Sequence, residues 1–132
     1  MNKESLSMQA SMDDIGRLKP FIEKVASQAS IGMIETRRLR LAAEEAVANV
    51  INYGQATTIT LLAEMVDGQL IITIDDDGQP FDPTQGSTTN LSIPTDQRPP
   101  GGLGIIMLER MTDGLSYQRN DGHNILTLKK KI

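Results

Sequence analysis

Apolar positions along the chain follow two different rhythms. Ile15, Leu18, Ile22, Val25 and Ala29 recur at spacings of three and four, the repeat that lines one face of a helix. Ser11 or Asp13 suits the cap of that helix, which is expected to open near Asp14 with Pro20 in its first turns. A second and clearer helix is predicted over about Ile34–Tyr53, where Ala is frequent and neither Gly nor Pro occurs. Leu39, Ala42, Ala46, Val50 and Tyr53 form its apolar stripe, and Gly54 ends it. The second rhythm is alternation. Thr57–Val66 and Gln69–Ile74 alternate as strands across Asp67-Gly68, a strong hairpin signal. Gly114–Arg119 and Asn124–Lys130 do the same across Asn120-Asp121-Gly122. Leu103–Thr112 reads as a third, short amphipathic helix, and Leu6 and Met8 alternate with Ser in a short first strand or frayed arm. The order predicts an α+β two-layer sandwich, with three main helices on one face of a mixed, mostly antiparallel sheet.

Composition narrows this picture without changing it. At 132 residues the chain is the size of one ordinary domain, read here as a single domain over 1–132. With 39% hydrophobic and 23% charged residues it has the makeup of a folded globular chain. Aromatics are only 3%, so the core rests on aliphatics, Ala and seven Met. The absence of Cys excludes disulfides and thiolate metal sites. A net charge of −4 argues against a nucleic-acid surface, and Lys129-Lys130-Lys131 reads as a solvated strand end. No apolar run reaches the 18 or so residues of a membrane span, and the first residues lack a signal core. A soluble, cytoplasmic protein is expected.

Three clusters carry candidate chemistry. Glu45 and Asn49 are four apart on the second helix and share a face beside Ala42, Ala46 and Val50. Polar groups there need partners, and a hydrated Mg²⁺ is one, with Asn49 as oxygen ligand and Glu45 as a base holding a water or hydroxyl. A plain helix-surface pair is the alternative. Next, Asp75-Asp76-Asp77-Gly78 follows a strand end. Alternation sends Asp76 to the opposite side from its neighbours, where a carboxylate can accept from an exocyclic amine such as that of adenine. Gly78 lets the chain pass close to a flat ring. An acidic turn remains the alternative; an EF-hand does not, for want of its twelfth-position Glu. Last, Pro99-Pro100-Gly101-Gly102-Leu103-Gly104 opens the third helix. Gly-rich amides at a helix N-terminus bind anions, and Arg98 stands in reach of a phosphate; a simple helix-opening turn is the alternative. The chain has neither a Walker A sequence nor a protein-kinase catalytic loop, and its only His, His123, reads as a turn residue.

In this order the clusters resemble the GHKL ATPase superfamily, and most closely its anti-sigma-factor serine/threonine kinase branch. The resemblance rests on Leu41–Asn49, Asp76–Pro83 and Gly101–Asp113, and extends over about residues 10–132. It implies a Bergerat-type ATP-binding fold and Mg·ATP as the ligand. Asn49 would then be the metal ligand, Glu45 the base, and Asp76 the reader of the adenine amine with Gly78 below the ring. Gly101, Gly102, Leu103, Gly104 and Arg98 would lie at the phosphates, and residues 82–101 would form a lid. Implied partners are an anti-anti-sigma (STAS-type) protein bearing the acceptor serine, a sigma factor, and a second copy of the chain. An ATP-dependent binding module with little transfer, a histidine-kinase catalytic portion acting on a His in trans, and a nucleotide-free structural domain are the other readings. The chain departs from the branch at three places: Tyr53-Gly54 replaces a common His-Gly, Pro99-Pro100 separates Arg98 from the Gly turn, and Gly122-His123-Asn124 occupies a region where Thr is common.

Overall fold

A computed structural model describes residues 3–84 and 108–132. The chain runs β1 (Glu4–Gln9), a 3-10 segment (Met12–Arg17), α1 (Leu18–Gln28), α2 (Met33–Tyr53), β2 (Thr58–Val66), β3 (Gln69–Asp76), β4 (Gly114–Asn120) and β5 (His123–Lys131). Residues 108–111 are helical and precede β4. The first helical element thus starts as a 3-10 segment, with the Ser11 hydroxyl accepting from the Asp13 amide. Pro20 explains the break. It has no N–H to offer the carbonyl of Gly16, and it sits in the first turn of α1, where that loss costs nothing.

The strands form one sheet in the order β1-β2-β3-β5-β4. Every pairing among them is antiparallel, so the described sheet has no parallel component. The segment read as strand or arm at the start of the chain is an edge strand, pairing Glu4 with Ala63 through Gln9 with Thr58. Both hairpin turns form as predicted. Asp67 and Gly68 have φ of 51° and 77°, and Asp121 and Gly122 have 50° and 81°. Positive φ at two successive residues is the turn geometry that matches strand twist, and Asp-Gly tolerates it.

Alternation directs Ile59, Leu61 and Ala63 of β2, Leu70, Ile72 and Ile74 of β3, and Leu126 and Leu128 of β5 into the core. Leu18, Ile22 and Val25 of α1 and Leu39, Ala42, Ala43, Ala46, Val47 and Val50 of α2 pack there as well. Small Ala side chains on α2 let that long helix lie close to the sheet. Asp76 is the last residue of β3, paired across the ladder with Ile59 on one side and Asn124 on the other. The register that buries Ile72 and Ile74 therefore also turns Asp76 inward. Ile72 is fully buried on the central strand; Ile72→Ala should cost about 2–5 kcal/mol of stability by urea denaturation.

Candidate functional site

A small cleft, with a cavity volume of about 20 Å³, lies between the C-terminal half of α2 and strands β3, β4 and β5; Ala46, Asn49, Val50, Asp76, Tyr117 and Asn124 are among its lining. Asn49 and Asp76, assigned from sequence to different motifs, face this one cleft. Asn49 is 5% exposed and Asp76 3%.

Asp76 is held in place at one oxygen. Its Oδ1 accepts from the Gly78 amide at 2.8 Å and from Asn124 Nδ2 at 3.0 Å. Its Oδ2 has no donor among the described residues and is not sealed from solvent. Burial raises the carboxyl above its usual range, the Asn124 and Gly78 bonds pull the other way, and the charges of Asp75 and Asp77 add to the rise. A buried carboxylate with one free oxygen facing an apolar cleft is an acceptor for a planar amine.

Asn49 complements it. Its Nδ2 is buried with no hydrogen-bond partner, and no described residue bonds to its Oδ1. An unpaired buried amide costs free energy until something binds it. Glu45, one helical turn or about 6 Å along α2, is half-buried and does not line the cleft. The structure thus brings Asn49 and Asp76 together and leaves Glu45 to one side. Arg98, Gly101, Gly102, Leu103 and Gly104, with the expected lid, lie outside the described residues.

Gly78 serves a purpose the sequence did not suggest. A Cβ at this position would lie 2.3 Å from the carbonyl oxygen of Gly54. The same carbonyl accepts from the Gln79 amide at 2.7 Å, and Gln79 Nε2 donates to the Tyr53 carbonyl at 2.8 Å. Glycine at 78 is what lets the strand end close on the end of α2. Asp77 reinforces this from the outer side. Its carboxylate accepts from the Thr57 hydroxyl and amide and the Thr58 amide, which lowers it to about 2.

Asn124 was not singled out from sequence. It is 4% exposed and is the hub of the cleft's polar network. The departure from Thr near the start of β5 was the one signal available.

The family model of the histidine kinase-like ATPase domain matches residues 8–130. The chain belongs to that family. A serine/threonine-protein kinase, BtrW of Bordetella bronchiseptica, is 35% identical over 94 residues, covering 68% of this chain and 66% of that protein. The RsbU and RsbW domains of Rv1364c from Mycobacterium tuberculosis share the fold, with a TM-score of 0.72 and 15% identity over 99% of this chain and 32% of that one. The histidine kinase AdeS of Acinetobacter baumannii does so with a TM-score of 0.55 and 17% identity, over 99% and 68%. The chain therefore spans just under two thirds of that curated relative and about a third of the first solved structure.

Membership in this ATPase family implies ATP, with Mg²⁺ typical, and the residues present fit both. No group of three or more Asp, Glu or His side chains that could hold a metal ion occurs among the described residues. Asn49 supplies one neutral amide to the cleft, which suits an ion that keeps its waters and takes phosphate oxygens. Among the described residues no helix is long and apolar enough to cross a membrane. Gly78→Ala should separate the strand end from α2, lowering stability by about 1–3 kcal/mol in a thermal or urea melt.

Proposed function

We propose that this chain is an ATP-dependent protein serine/threonine kinase of the anti-sigma-factor type. It binds Mg·ATP in the Asn49–Asp76 cleft and transfers the terminal phosphoryl group to a serine or threonine hydroxyl of an anti-anti-sigma (STAS-type) protein. It also holds a sigma factor, as a homodimer. The observation that carries the nucleotide reading is the pairing of two buried side chains in one cleft: Asn49 with a sealed and unpartnered amide nitrogen, and Asp76 with an oxygen that no described residue bonds. Asp76 Oδ2 accepts from the adenine amine. Asn49 would hold the metal through its amide oxygen, and the ion would supply charge neutralisation at the phosphates. Glu45 takes the proton from the incoming hydroxyl, and Arg98 and residues 101–104, which lie outside the described residues, are assigned to the phosphates by the family resemblance alone. Positioning and charge neutralisation do most of the work in such a transfer. The likeness to a named serine/threonine-protein kinase supports this reaction class.

A second reading is a nucleotide-dependent protein-binding module with little transfer. One observation favours it: the candidate base Glu45 does not line the cleft that Asn49 and Asp76 share.

Capture of partners by the chain in Mg·ATP, followed by phosphosite mapping on what co-purifies, separates the two. Phosphoserine or phosphothreonine on the captured partner is expected, and an unmodified partner supports the module. Glu45→Ala should slow transfer about 10²–10⁴-fold while leaving ATP affinity near wild type; equal losses in both would remove the base role. Asp76→Asn should weaken ATP binding by about 1–3 kcal/mol in calorimetry, and unchanged affinity would refute the adenine assignment.

A further inference from the structure

We infer that the outer edge of β1 is a strand-pairing surface matched to β1 of a second copy of this chain, and that the 3-10 segment after it keeps that edge closed through Arg17 and Asp14. This does not rest on the nucleotide reading above.

β1 stands at one end of the sheet and has β2 on one side only. An edge strand presents unpaired amides and carbonyls that can template another strand. Which residues present them follows from the ladder. The Ala10 amide bonds the Thr57 carbonyl at 3.0 Å. In an antiparallel pair, Met8, Leu6 and Glu4 then turn their backbone groups toward β2, while Gln9, Ser7 and Ser5 turn theirs outward. Three of the outward groups are taken. Arg17 Nη1 donates to the Ser7 carbonyl at 3.0 Å, and the Asp14 carboxylate accepts from the Gln9 amide at 2.9 Å. The Ser11 amide donates to the Gln9 carbonyl at 2.8 Å. The Arg17 side chain is 53% exposed, so burial does not hold it against the strand. A guanidinium on a carbonyl and a carboxylate on an amide occupy the places of a further strand.

The strand also fits itself. Laid antiparallel on a second copy about Ser7, it sets Leu6 opposite the copy's Met8 on the core face. Ser5 falls opposite Gln9 on the outer face, and Glu4 opposite Ala10. Apolar side chains meet apolar ones and no like charges meet. Moving the centre to Ser5 would set Glu4 against Leu6. In the Ser7 register every bond between the copies uses the Ser7 carbonyl, the Gln9 amide or the Gln9 carbonyl, and all three are occupied. That register is shut, although the Ser5 amide and carbonyl and the Ser7 amide have no partner among the described residues. Removing the two side chains frees the Ser7 carbonyl and the Gln9 amide.

Sedimentation velocity over a concentration series, on the wild-type chain and on Asp14→Ala/Arg17→Ala, tests this, with hydrogen exchange at the Ser7 amide as the local readout. The double variant should associate at least about tenfold more tightly than wild type, since backbone bonds are returned to the pairing. Its Ser7 amide should gain protection as concentration rises. Unchanged association overturns the inference, as does association that leaves the Ser7 amide unprotected, or a Ser7 amide already protected in the wild-type chain. If the double variant does not fold, Arg17→Met frees the Ser7 carbonyl alone while keeping an extended stem, and it is read in the same way. A wild-type homodimer formed through another face leaves the Ser7 amide exchanging freely, so the dimer proposed above and the closed edge are tested separately.

Discussion

The site depends on a backbone contact more than on any charged group. The carbonyl of Gly54, at the end of α2, meets the Gln79 amide at 2.7 Å and leaves no room for a side chain at Gly78. Asn49 stands just over one helical turn before Gly54, and Asp76 two residues before Gly78. Closing those two glycines on each other sets the separation of Asn49 and Asp76, residues otherwise joined only through a hairpin strand. Asp77 bonds Thr57 and Thr58 just beyond the same junction, so it is fastened from two sides. Buried positions cannot drift when their backbone is fixed at both ends, and a binding site needs its groups held to within fractions of an ångström.

Placing Asp76 there costs stability. A carboxylate in an apolar cleft is disfavoured by desolvation, and two adjacent acids make it worse. The protein offsets part of this with two donors on one oxygen and leaves the other oxygen without one. A core selected for stability alone would satisfy both, or use an apolar side chain. Asn49 shows the same imbalance on the facing helix, with a sealed and unpartnered amide nitrogen. A sealed, unpartnered amide on one element and a carboxylate oxygen left without a protein donor on another, both at one cleft, mark a surface shaped for something other than itself.

What could be read from the sequence was local. Asp67-Gly68 and Asp121-Gly122 announced their turns because two successive positive φ values demand such residues. The uninterrupted Ala-rich stretch announced α2, and alternation alone sent Asp76 to the opposite side from Asp75 and Asp77. Asn49 and Asp76 were found by motif, but their meeting was not derivable from either segment. Asn124 escaped because its importance comes from strand register: it matters only once β5 lies beside β3 with Asn124 opposite Asp76. Tyr117 and Arg119 escaped for the same reason, one pairing further out on β4. Gly78 was read for the close passage of the chain past a flat ring; the close approach to the Gly54 carbonyl comes from tertiary packing that neither segment shows alone.

The arrangement divides labour along α2. Its C-terminal turns, locked to the sheet through Gly54, carry Asn49 into the cleft beside the rigid register that holds Asp76 and Asn124. Glu45 sits one turn nearer the N-terminus, half-buried and away from that cleft. A nucleotide whose base rests on Asp76 would then extend along the helix from its fixed end toward Glu45. The Asn49–Asp76 cleft is built from strand pairing and a helix cap, which resist local change because each is part of the core. Glu45 is a side chain that the core does not constrain in this way. A change at Glu45 therefore leaves intact the backbone closure that holds Asn49 and Asp76.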